Sequence, residues 1–264
     1  MKKGTSSKKL RGASLLLFLA VSPFLMGQAT APSGAPLWEK VDEGFEVMSG
    51  QLNGQPYLTF IKIRALRIDP ERFQLKMIDS RAFGAERMEI KALVRKAQAL
   101  AAVNGGFFLP DYRPLGLLIV DGREANPLRK TDWGIFLIQD NRPRIIHTKE
   151  FQPEKTISQA LQVGPRLVVD GKEMHLKKQA ARRSALGITF NNQVVLLNTG
   201  ETEAYTQDLA RFFRLLESEG GLECRDALAL DGGPSAQMYA EYKNLKIDLP
   251  GGWAVPNGVG VFKR

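Results

Sequence analysis

Leu228-Ala229-Leu230-Asp231-Gly232-Gly233-Pro234-Ser235 is an apolar run that ends on a carboxylate and breaks at once into two glycines and a proline. The apolar part reads as a buried strand and Gly-Gly-Pro as a tight turn. Asp231 is therefore expected at a strand's end, where glycine lets backbone and ligand approach closely. A second stretch has the same grammar: Ala99-Leu100-Ala101-Ala102-Val103-Asn104-Gly105-Gly106-Phe107-Phe108. Two strand-end polar residues, each followed by Gly-Gly, exceed what folding alone requires. They predict one site assembled from distant parts of the chain.

A helix is expected before each of these strands. Ile90, Leu93, Val94 and Ala97 fall at i, i+3, i+4 and i+7, which predicts a helix from about Arg87 to Ala97 with one apolar face. Leu209, Phe212, Phe213 and Leu216 predict a second, with Thr206 as its N-cap, Asp208 in its first turn and Gly220-Gly221 as its stop. Other segments read as strands, including a hairpin of Arg183 to Phe190 and Val194 to Asn198 turning at Asn191-Asn192. The fold class expected is α+β: a single domain with a mixed or antiparallel β-sheet core and two main helices.

The N-terminus reads as a targeting segment. Lys2, Lys3, Lys8, Lys9 and Arg11 precede an apolar run from Ala13 to Met26, followed by small residues at Gly27, Ala29 and Ala31. This is the layout of a secretory signal, and the run is short for a membrane span, which needs about 20 residues. The expected organisation is a signal peptide over 1–29, a linker over 30–43 and one domain over 44–264, in an exported, periplasmic or extracellular protein. Contact with a membrane is expected only through the signal segment if it stays uncleaved. Five of the nine net positive charges lie in that segment, leaving a mature domain at +4. That charge suits an anionic small molecule or glycan, and no basic run interleaved with aromatics points to nucleic acid. Cys224 is the only cysteine, so an internal disulfide and a cysteine-based zinc site are both excluded. His147 and His175 have no partners at metal-ligand spacing and read as structural or surface residues.

Four segments taken in order carry a family resemblance: Asn104-Gly-Gly-Phe-Phe, Gly164-Pro165 with Asp170-Gly171 downstream, Arg183-Ser-Ala-Leu-Gly, and Leu230-Asp-Gly-Gly-Pro-Ser. Together they resemble the phosphodiester glycosidase family, over roughly Ala99 to the C-terminus. The family includes an enzyme that removes N-acetylglucosamine from a phosphodiester-linked mannose. The resemblance implies an exported hydrolase that cleaves a glycosidic bond in a sugar phosphodiester or related envelope glycan. A non-catalytic glycan- or anion-binding protein on the same fold is the alternative.

Such chemistry suits the residues present. The leaving phosphate monoester departs readily, and Arg183 can neutralise its charge bidentately. Asp231 can activate water, stabilise an oxocarbenium-like centre or act as nucleophile. Asn104 can hydrogen-bond a sugar hydroxyl or phosphate oxygen. Gly105, Gly106, Gly232 and Gly233 are expected to offer N–H groups to substrate, and Ser235 a hydroxyl. Phe107 and Phe108 read as core before sugar platform. No cofactor is required, although Asp231, Asp111, Asp121 and Glu124 could lend oxygen ligands to a divalent cation. One position departs from the family pattern: Pro234 stands where a third glycine is common, which removes a backbone donor.

Overall fold

The computed structural model describes residues 38–52 and 60–264, with Met1 and Gly4. The chain parts into two units, Met1–Ser33 and Gly34–Arg264. The expected signal peptide lies outside the described residues. The expected linker is shorter than 30–43, because Trp38–Asp42 is already a strand, paired antiparallel with Phe45–Leu52.

Among the described residues, strands far outnumber helices, and every strand pair is antiparallel. One sheet of eight strands carries, in its interior, Val194–Asn198, Ser184–Thr189, Cys224–Ala229 and Arg166–Val169 side by side. A sheet of five centres on Ile157–Val163, between Leu118–Val120 and Gly134–Gln139. Another sheet of five places Ala101–Asn104 between Met238–Tyr242 and Asn257–Lys263. Side chains of all three meet in one core, where Leu186 and Leu228 pack with Val103, Val259, Phe136 and Leu161.

The predicted hairpin forms, with Ala185 opposite Leu197 and Ile188 opposite Val194. Its alternation divides it between two layers. Leu186 and Ile188 face the central core, whereas Ala185 joins the layer under the second helix. Gly187 lies on that second face, and a Cβ there would fall 2.7 Å from Phe213 and 2.8 Å from the Cys224 sulfur. Glycine is thus what lets the helix lie down on the sheet.

Both helices form and are shorter than their patterns. The first is Ile90–Ala97, burying Ile90, Leu93 and Val94 against Ala102 and Tyr239. Each such side chain contributes about 1.5–3 kcal/mol of burial. Residues before it are taken by a β-bridge from Met88 to Val255. The second is Thr206–Arg214. Thr206 is its first residue and not its cap; Tyr205 is the N-cap, and Thr206 is buried. Leu216 lies beyond the helix and is exposed, because the chain leaves α geometry after Arg214 and enters a 3₁₀ turn, Glu217–Glu219, closed by Gly220. No helix among the described residues is long and apolar enough to cross a membrane.

Candidate active site

The four segments singled out in the sequence meet at one place through their backbones. Asp231 N–H donates to the Gly105 carbonyl at 3.0 Å, and Leu230 N–H to Ser184 at 2.9 Å. Gly233 N–H donates to Arg182 at 2.8 Å, and Ala229 N–H to Pro165 at 2.9 Å, just past the cis Gly164–Pro165 bond. The end of the Cys224–Ala229 strand is therefore gripped by the Asn-Gly-Gly loop, the Arg-Ser strand and the Gly-Pro corner.

Asp231 is partly buried at that junction. Burial pushes its carboxyl up to about 6, opposed by hydrogen bonds from the Ser235 hydroxyl and the Gly232 N–H. A carboxylate displaced from its ordinary range by burial marks this strand end as the candidate site. Ser235 is buried and serves Asp231 directly.

Asn104 is fully buried, and its amide is spoken for on both sides. Nδ2 donates to the Asp231 carbonyl at 2.8 Å, while Oδ1 accepts from Ser184 Oγ at 2.5 Å and from Gln237 N–H at 3.1 Å. Asn198 Nδ2 donates in turn to Ser184 Oγ at 2.8 Å. Asn104 thus holds the Asp231 backbone in place, and its amide is turned into the protein.

Arg183 has its Nε on the Ala204 carbonyl at 3.1 Å and one Nη on the Gln179 carbonyl. Nη1 makes no hydrogen bond among the described residues and lies 3.5 Å from where a Gly232 Cβ would stand. Burial lowers the guanidinium's proton affinity and Glu203 raises it, and no ion pair joins it to Asp231. A free pair of N–H groups beside the Asp231-Gly232 turn suits a phosphate oxygen. Arg182 points elsewhere, donating to Gly200, Ala236 and Pro250 carbonyls, and is structural.

The four glycines do not form the expected cradle. Gly105 N–H is bonded to the Asn257 carbonyl and Gly106 N–H to Asn257 Oδ1 at 3.0 Å. Gly232 N–H is turned onto Asp231 and Gly233 N–H onto Arg182. Three of them serve close packing and Gly233 serves a left-handed turn. A Cβ on Gly105 would fall 2.0 Å from Asn257 Oδ1, and Gly233 has φ +58°. Gly105→Ala is expected to cost about 1–3 kcal/mol by overpacking a buried amide, read as a lowered melting temperature.

Gln237 and Asn257 went unmarked in the sequence. Gln237 is buried and reaches three elements: Oε1 accepts from Ile90 N–H at 2.7 Å, capping the first helix, and Nε2 donates to Trp253 and Ser235 carbonyls. The signal available was a polar residue at the edge of an apolar run, just before Met238–Tyr242 for Gln237 and opening Asn257–Lys263 for Asn257; such a residue must find partners when buried. Ser184 and Asn198 answer to the same rule.

The four carboxylates considered as metal ligands stay apart. Asp111 is held by Arg113 at 2.6 Å and Asp121 by Gln159 at 2.8 Å. Glu124 is exposed, and no group of three or more His, Cys, Asp or Glu among the described residues is arranged to hold a metal ion. Cys224 is buried, and burial pushes its thiol far up, away from thiolate chemistry. His147 is pinned by Asp132 at 2.6 Å and Lys149 N–H at 3.0 Å, whereas His175 is exposed. Phe107 packs on Trp133 with centroids 5.0 Å apart. Concavities of 630 and 470 Å³ lie elsewhere on the surface, so volume alone does not mark this site.

Comparisons with known proteins show the family and the fold. Uncharacterized protein YigE of Escherichia coli (strain K12) is 27% identical over 197 residues, covering 68% of this chain and 74% of YigE. The zebrafish N-acetylglucosamine-1-phosphodiester alpha-N-acetylglucosaminidase catalytic domain, auto-inhibited by its pro-peptide, matches with a TM-score of 0.66 at 14% identity, covering 86% of each chain. A hypothetical protein from Synechocystis matches at 0.62 with 14% identity over 87% of this chain, which spans only 64% of the Synechocystis one. A Burkholderia pseudomallei K96243 protein whose name supposes export matches at 0.56 with 14% identity, over 80% of this chain and 76% of that one. These structures share the fold. A phosphodiester glycosidase family model matches residues 97–262, which contain Asn104, Arg183 and Asp231. The chain belongs to the phosphodiester glycosidase family.

Proposed function

We propose that this protein is an exported hydrolase that cleaves the glycosidic bond of a sugar phosphodiester in envelope or extracellular glycan. The observation that carries the reading is Asp231: a partly buried carboxylate pushed up to about 6, fixed by Asn104 and Ser235 beside the free edge of Arg183. The bond between the anomeric carbon and the phosphate oxygen breaks, its electron pair leaves with the phosphate monoester, and a water oxygen takes its place. Arg183 neutralises the departing phosphate. Asp231 acts as the carboxylate, whether on water, on the oxocarbenium-like centre or as nucleophile; a leaving phosphate needs no proton from it. Asn104 is a positioning residue.

All three roles of Asp231 need the ionised form. The expected pH profile of kcat/KM therefore rises through about pH 6 and levels above it. A profile flat from pH 4 to 8, or one falling through this range, would count against the ionised role. The activity itself is tested by free sugar release from methyl phosphodiesters of glucose 1-phosphate and N-acetylglucosamine 1-phosphate, the second chosen from the zebrafish enzyme's name. Release by the native protein and none by Asp231→Ala is the expected result. No release across a broad sugar panel, with and without divalent cations, overturns it; binding without turnover would instead identify a glycan-binding module on this fold.

A further inference from the structure

Trp253 is 60% exposed, an aromatic ring presented to solvent on the loop after Pro250. The loop is tied to the catalytic turn. Gly252 N–H and Trp253 N–H both donate to the Pro234 carbonyl, at 2.7 and 3.1 Å. The Trp253 carbonyl accepts from Gln237 Nε2 at 2.8 Å, and the Pro250 carbonyl from Arg182 at 2.5 Å. Gly252 lies flush on the proline ring, since a Cβ there would fall 3.2 Å from Pro234 Cβ. Pro234 is three residues from Asp231, and the intervening Gly233–Ser235 turn is a single tight 3₁₀ turn. Trp253 is thus carried on the same rigid unit as the catalytic carboxylate, with its indole left in solvent.

None of these bonds needs an indole. They are made by the backbone of Gly252 and Trp253, so the fold explains the loop and leaves the side chain unexplained. Pro234 gains a purpose here. Any residue at 234 would supply the carbonyl, but the proline adds a fixed φ and a ring on which Gly252 rests. An exposed indole on a loop whose backbone is tied to the Asp231–Ser235 turn offers a face that suits the apolar C–H side of a pyranose, and desolvating it on contact adds affinity.

We infer that Trp253, mounted on Pro234, is the stacking platform for a pyranose ring of the substrate, and so a determinant of sugar affinity. The inference rests on the proposed hydrolase reading and deepens it. Trp253→Ala is expected to raise KM for the methyl phosphodiester of N-acetylglucosamine 1-phosphate about tenfold, with kcat changed less than about threefold. Trp253→Phe should recover most of the loss. Because the indole is exposed, both variants should melt within a few degrees of the native protein. Unchanged KM in Trp253→Ala overturns the inference while leaving the hydrolase reading intact.

If no sugar phosphodiester is turned over, intrinsic fluorescence decides. The Asp231→Asn protein is titrated with the same compound and with free N-acetylglucosamine. Quenching that disappears when Trp253→Ala is added supports the platform independently of catalysis. Quenching that persists without Trp253, or none at all, overturns it.

Discussion

Asp231→Asn is expected to abolish turnover and to make the protein more stable at pH 8. The loss of activity should be about 10³-fold or more, because an amide cannot act as base, nucleophile or counter-charge. The stability gain follows from the raised carboxyl. Its ordinary value of 3.8 stands for the unfolded chain, and the folded value is about 6. The folded state therefore binds the proton more tightly, and stability falls as pH rises through this interval. Above pH 6 the native protein carries the full cost of a buried, ionised Asp231, up to about 3 kcal/mol. Asparagine keeps the shape and the acceptor for the Ser235 hydroxyl and the Gly232 N–H without that cost. The melting temperature of Asp231→Asn should exceed that of the native protein at pH 8, by a margin that shrinks below pH about 6 and vanishes below about 4. Equal or lower stability at pH 8 would mean that Asp231 is comfortably solvated in its folded setting, which would remove the physical basis for its catalytic assignment.

The antiparallel hairpin of Ser184–Thr189 and Val194–Asn198 and the two amphipathic helices were legible from local pattern. Each rests on periodicity or turn chemistry that acts within a dozen residues. The boundaries that failed were those set by tertiary partners. Thr206 has the right chemistry for a cap, but it is buried as the helix's first residue, and Trp38–Asp42 became a strand only because Phe45–Leu52 was there to pair with it. The site divides in the same way. Asp231 and Arg183 advertise themselves by type and position. The occupation of the glycine N–H groups by Asn257, Arg182 and Asp231 is a long-range fact with no local signature. A Gly-Gly turn announces backbone access, yet it does not say whether ligand or protein takes the freed donors. Here protein takes them.

The same accounting makes Asn104 a consequential buried side chain. Asn104→Ala would strip the Asp231 carbonyl, the Ser184 hydroxyl and the Gln237 N–H of a partner at once, the last two on fully buried residues. Each stranded group costs about 1–3 kcal/mol, so a loss on the order of 5 kcal/mol is expected, comparable to a domain's whole stability. Asn104→Asp separates packing from chemistry. It preserves volume and the acceptor that serves Ser184 and Gln237, but it turns an oxygen toward the Asp231 carbonyl where a donor belongs, and it buries a charge. It should therefore destabilise about as severely as alanine, whereas a residue that merely touched substrate through its oxygen would tolerate the change in the folded state. Urea denaturation of the two variants reads this directly. A midpoint for Asn104→Asp near that of the native protein would return Asn104 to the substrate side of the site, and the backbone of Asp231 would then need another explanation for its fixed position.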